Sequence, residues 1–129
     1  MSAAHPTYPD ESGRHTRLGR RGEDLAVEHL QRCGLVVLSR NWRCRHGELD
    51  IVATDGRRLV VCEVKTRSGT GFGAPAEAVT LEKQERLRRL ANAWLAHYRV
   101  GWCEVRMDIV SVLWPPDGRP MVEHLRGAF

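Results

Sequence analysis

Apolar residues return at helical spacing between Leu18 and Cys33, where Leu18, Leu25, Ala26, His29, Leu30 and Cys33 fall on one side of a helix. Thr16 stands ahead as a cap and Gly34 behind as a stop, so the pattern predicts a first helix here. Leu35 to Ser39 is apolar and β-branched and predicts a strand leading straight out of it. Gly47 to Thr54 and Arg58 to Thr66 predict two more strands joined through Asp55-Gly56, the dipeptide that most favours a tight hairpin turn. A second helix follows from the stripe Leu87, Leu90, Ala91, Trp94, Leu95 and Tyr98, capped by Thr80 and closed near Gly101, with Trp94 and Tyr98 expected in the core. Cys103 to Leu113 alternates as a strand, and Pro115-Pro116-Asp117-Gly118 turns the chain into a short last strand near Met121. The order α-β-β-β-α-β-β suits an α/β fold with a central mixed sheet and a helix packed on each face.

Two stretches break the periodicity. Residues 1–16 mix Pro6, Pro9, Ser12 and Gly13 with charges and read as a disordered tail ahead of a single domain over residues 17–129. Arg67 to Pro75 carries three glycines and reads as a flexible loop.

The hairpin concentrates the chemistry. A two-residue turn at Asp55-Gly56 would set Asp50 opposite Val61 and Glu48 opposite Glu63, with Asp50 diagonal to Glu63. Glu48, Asp50, Glu63 and Lys65 then project from one face, since side chains two apart on a strand point the same way. Packed carboxylates repel one another and lose solvation, so the arrangement calls for a cation between them. Mg²⁺ or Mn²⁺ suits such oxygen donors and keeps open positions for a phosphate oxygen and a nucleophile. Lys65 returns to the same face, where it can help deprotonate a water or balance charge on phosphorus. Glu23 falls on the buried side of the first helix and can point at the same ion, with Gly19 and Gly22 allowing a close approach to the sheet. The plainer alternatives are an ion-paired patch for Asp50, Glu63 and Lys65, a rim acid for Glu48, and an exposed acid favoured by the helix dipole for Glu23.

Charge agrees with a polyanionic partner. Lys+Arg number 20 against 16 Asp+Glu, a formal +4 with a pI near 9.2, and only Lys65 and Lys83 among the cations are lysines. Arg20, Arg43, Arg45 and Arg67 flank the acidic segments and make a candidate phosphate-contacting surface. Cys33, Cys44, Cys62 and Cys103 lie far apart, with no CxxC pair and no nearby His at zinc-ligand spacing, so no structural zinc site is expected. No apolar run approaches a membrane span or a secretory signal, and the cytoplasm is the expected compartment.

Gly22-Glu23 with Ala26 and Leu30, then Gly47-Glu48-Leu49-Asp50-Ile51-Val52-Ala53, then Cys62-Glu63-Val64-Lys65-Thr66-Arg67, closely resembles the YraN-like family of small bacterial proteins. The resemblance covers Arg17 to Val112. That family is similar to the archaeal Holliday junction resolvases and the wider PD-(D/E)xK nucleases, which implies a restriction-endonuclease-like fold. It further implies metal at Asp50 and Glu63, a catalytic lysine at Lys65 and an assisting acid at Glu23. Leu49 departs from the superfamily pattern, standing where its name has proline.

The expected function is hydrolysis of phosphodiester bonds in DNA, branched or single-stranded. A homodimer would be needed if two symmetric strands are cut. The rival is a nucleic-acid-binding module with the same fold and no turnover of its own. A hydrolase of small phosphoesters is disfavoured, because nothing in the chain builds an enclosing apolar pocket.

Overall fold

A computed structural model describes residues 17–69 and 79–129. The tail at residues 1–16, the cap at Thr16 and residues 70–78 of the glycine-rich loop lie outside the described residues.

The elements run α1 (Arg17–Arg32), β1 (Val36–Cys44), β2 (Gly47–Thr54), β3 (Leu59–Arg67), α2 (Leu81–His97), β4 (Val105–Leu113) and β5 (Met121–Leu125). The strands lie in sequence order across one sheet, with β1–β2, β2–β3 and β4–β5 antiparallel and β3–β4 parallel. Parallel neighbours need a crossover, and α2 supplies it. The mixed sheet between two helices expected of an α/β protein is the architecture found.

Each helix buries one stripe. Ala26 and Leu30 of α1 pack on Ile51, Ala53, Val60, Cys62, Val64, Val110 and Val112. Leu87, Leu90, Ala91 and Trp94 of α2 cover Leu49, Val52, Leu59, Val61 and Met107 on the opposite face. Strand β3 feeds both clusters, which explains why Leu59 to Val64 reads as an unbroken apolar run interrupted only by Glu63. Thr80 caps α2 as expected, its hydroxyl accepting from the Lys83 backbone N–H at 3.1 Å. Trp94 is buried and donates its indole N–H to Ser39 Oγ at 3.0 Å. Tyr98, expected in the core, is 49% exposed: it is the C-cap of α2, where the helix already leaves the sheet.

Three differences from the sequence pattern concern boundaries and register. Strand β1 continues through Arg40, Asn41, Trp42 and Arg43, a run in which only Trp42 is apolar and which suits an edge strand. The β2–β3 connection is a four-residue loop, Asp55 to Arg58, because the Asp55 carboxylate captures the backbone N–H groups of Arg57 and Arg58, both at 2.8 Å. The β2–β3 ladder therefore runs from Thr54↔Leu59 to Ile51↔Cys62, shifted from the pairing that a two-residue turn would give, and it ends before Asp50 and Glu63.

Candidate active site

The site begins where the sheet pattern slips. Leu49 and Val52 both pack toward α2 while Ile51 packs toward α1, so strict alternation fails at Asp50. Opposite it on β1, the pairing passes from Arg40↔Ile51 to Trp42↔Leu49 in unchanged register and leaves out Asn41, whose φ is +51°, while the register shift of this strand pair lies between Val37 and Ser39. An Asn tolerates that left-handed conformation better than a bulkier residue.

Two consequences follow. Asp50, 1% exposed, turns its carboxylate into the junction between β2 and β3, and Oδ2 accepts the Val64 backbone N–H at 2.8 Å. A side chain here takes the place of a ladder partner, and a notch opens between the two strands while β3 continues alongside β4 as far as Arg67↔Leu113. The second consequence is that Asn41 Nδ2 reaches Glu23 Oε1 at 2.7 Å, where Arg40 also donates at 3.2 Å. Glu23 is 3% exposed, on the buried side of α1 as expected. Arg40 links α1 further through Asp24 at 2.7 Å.

Glu63 occupies the α2 side of β3 and is 3% exposed. Its Oε2 lies 3.5 Å from Lys65 Nζ and 2.5 Å from Lys83 Nζ. Both lysines of the chain therefore meet one carboxylate. Burial pushes the Lys65 pKa below its ordinary value and the neighbouring Lys83 ammonium pushes the same way, against the pull of Glu63. Sequence reasoning passed over Lys83, although a signal existed: a cation in the first turn of α2 opposes the helix dipole and needs an anion to hold it there.

The single acidic face expected of the hairpin is thus divided. Glu63 and Lys65 face α2, Asp50 lies in the junction, and Glu23 approaches from α1. Glu48 turns to the side opposite Leu49 and pairs with Arg43 across β1–β2 at 2.9 Å. Among the described residues, no trio of these carboxylates closes to within 4.8 Å. Asp50 and Glu63 remain two buried oxygen donors at the end of the β2–β3 ladder, residue types that suit a hard divalent cation. Of the arginines proposed for phosphate contact, Arg20 and Arg45 are exposed, Arg67 is half-buried at the end of β3, and Arg43 is engaged by Glu48.

The class so defined is an α/β protein with a mixed five-stranded sheet, whose split β2–β3 junction gathers buried acids beside two lysines. The chain belongs to the Uncharacterised protein family UPF0102, whose model matches residues 22–112. It is similar to the UPF0102 protein of Frankia alni, 58% identical over 112 residues that span 87% of this chain and 93% of the relative. The UPF0102 protein of Acidothermus cellulolyticus is 53% identical over 122 residues, spanning 87% and 92%. Among solved structures the chain is similar to Hjc, a Holliday junction resolvase from the archaeal hyperthermophile Archaeoglobus fulgidus. That match has a TM-score of 0.45 and 19% identity and covers 81% of this chain and 75% of that one.

Proposed function

We propose that the protein is a divalent-metal-dependent nuclease that hydrolyses phosphodiester bonds in DNA, with branched or single-stranded DNA as the substrate form. The observation that carries this reading is the burial of both Asp50 and Glu63 where the β2–β3 ladder ends, with Lys65 and Lys83 on the Glu63 carboxylate. Buried acids are costly without a cation, and Asp50 and Glu63 are the residues that would hold Mg²⁺ or Mn²⁺. When bound, such an ion polarises a phosphoryl oxygen and makes water a better nucleophile at neutral pH.

The protein's own groups supply the rest. Lys65, held in a partly buried position by Glu63, exchanges a proton at Nζ with the attacking water or, protonated, balances charge on the phosphoryl group. Lys83 adds a second cation for a phosphate oxygen. Glu23, fixed by Arg40 and Asn41, orients β1 against α1 and borders the same junction. Arg20, Arg45 and Arg67 contribute backbone phosphate contacts, and Arg43 joins them by releasing Glu48. Two cuts on symmetric strands call for a homodimer. The four cysteines are free thiols, which agrees with the cytoplasm as the compartment.

A panel of labelled linear duplex, single strand, flap and four-way junction, incubated with Mg²⁺ or Mn²⁺, tests this. Cleavage by wild type that falls about a hundredfold or more in both Asp50→Ala and Lys65→Ala is the expected result. One observation favours a second reading: Glu63 already engages two ammonium groups, so the cluster can be electrically closed without a metal. Binding of DNA without cleavage in any variant would make the protein a nucleic-acid-binding module.

A further inference from the structure

At the far end of α1 from Glu23, a second cluster joins three side chains that the reading above leaves unused. His29 and Cys33 lie four residues apart on α1 and its C-terminal turn, and His124 comes from β5. Their ligand atoms all fall within 4.8 Å of one another. His29 Nε2 lies 3.0 Å from His124 Nδ1 and 3.6 Å from Cys33 Sγ. Around a tetrahedral Zn²⁺ with its usual bond lengths to nitrogen and sulfur, ligand-to-ligand edges are about 3.3–3.6 Å. Two edges of the cluster, 3.0 and 3.6 Å, are already close to that size, and the third closes within 4.8 Å.

The back of His124 is built as metal-binding histidines are. Its Nε2 lies 2.8 Å from Oδ2 of Asp108, which is itself buried and fixed by Arg106 at 2.8 and 2.9 Å and by the Gly127 N–H at 3.0 Å. A carboxylate in this position accepts a hydrogen bond from Nε2–H, sets the ring orientation and leaves the Nδ1 lone pair facing the other two ligands. Cys33 is exposed, which gives an ion a route in from solvent.

We infer that His29, Cys33 and His124 form a site for a Zn²⁺-class cation, with the fourth position open to water. Loading shifts the His29 proton from Nε2 to Nδ1, so that both imidazoles bind as neutral ligands, and releases the Cys33 thiol proton to solvent. The ion then ties the end of α1 to the edge strand β5. The expectation that no histidine stands near a cysteine at ligand spacing is corrected by His29, four residues before Cys33. A His and a Cys one helical turn apart, joined by a histidine about ninety residues later, give no contiguous motif.

Titration of the full chain with Co²⁺, followed by displacement with Zn²⁺, tests the site independently of nuclease activity. The expected result is one equivalent of Co²⁺ with thiolate-to-cobalt absorption, abolished in Cys33→Ser and retained in Asp50→Asn. Because Cys33 is exposed, Cys33→Ser leaves the core untouched, and circular dichroism confirms folding. His124→Ala should weaken binding at least tenfold. Absence of the absorption in wild type, its persistence in Cys33→Ser, or its dependence on Asp50 would overturn the assignment.

Discussion

At Gly22 the backbone of α1 lies directly against the side chain of Thr66, just past Lys65 on β3, and a Cβ built there would collide with Thr66 Oγ1 and Cγ2. The close approach suggested by glycine in the first helix is therefore met at Gly22, and it brings Glu23 down beside the junction. Because β3 is held on both faces and α1 is anchored by Ala26 and Leu30, neither partner can yield freely. Gly22→Ala should cost about 1–3 kcal/mol in denaturant unfolding, as overpacking usually does. Trimming the obstacle in Gly22→Ala/Thr66→Ala should return part of that loss. A Gly22→Ala protein as stable as wild type would mean that α1 sits farther from β3 than described. Glu23 shows the limits of reasoning from one residue. Its helical position predicted burial correctly, but its partners Arg40 and Asn41 come from a strand that the apolar pattern ends at Ser39.

The β2–β3 hairpin is the element on which the site depends, and its turn decides the register. Asp55-Gly56 marked the turn correctly, and Gly56 has the positive φ, +94°, that the dipeptide suggests. The loop length was not legible, because it depends on the Asp55 carboxylate taking two backbone N–H groups beyond the dipeptide. That capture holds the Asp55 pKa down at about 2, chiefly through the N–H groups of Arg58 and Arg57. A carboxylate whose pKa is depressed on folding adds stability above its unfolded value, near 3.8, and loses it as pH falls through about 2. In Asp55→Asn, stability should consequently vary less with pH across that window than in wild type. Equal slopes for the two proteins would show that the captured turn is not populated in solution. The same reasoning explains how Asp50, Glu63 and Lys65 were found together despite a wrong pairing. Strand order and spacing bring the three to one end of the hairpin in either register, whereas which face each takes depends on the slip at Asp50. Glu48 was assigned to the shared face by alternation alone, and the slip is what separates it from Glu63.

Across the whole molecule, the element order and both helical stripes were legible because each rests on burial, the strongest term in folding. The parallel β3–β4 pairing follows from the same order, since a helix between two strands is the usual crossover. Interactions between distant segments were not legible: Lys83 on Glu63, and His124 beside His29 and Cys33, are set only once α2 and β5 dock on the sheet. The charge at the β2–β3 junction should then appear in the stability of the entire fold. Asp50→Asn keeps an oxygen that can accept the Val64 N–H and removes one buried charge, so the ion-free variant should unfold at or above the wild-type temperature. Mg²⁺ should separate the two proteins, because an ion that binds only the folded state stabilises it in proportion to the logarithm of its excess. At a hundredfold excess over Kd the wild type should gain about 2.7 kcal/mol, a rise of several degrees in Tm, and Asp50→Asn should gain little. Mg²⁺ prefers oxygen ligands and is a poor match for His29, Cys33 and His124, so its effect reports on Asp50 and Glu63. A wild-type Tm unmoved by millimolar Mg²⁺, or a rise shared equally by Asp50→Asn, would show that the two carboxylates do not hold the ion. The lysine pair on Glu63 would then serve as counter-charge in place of an ion, and the binding-module reading would displace the nuclease.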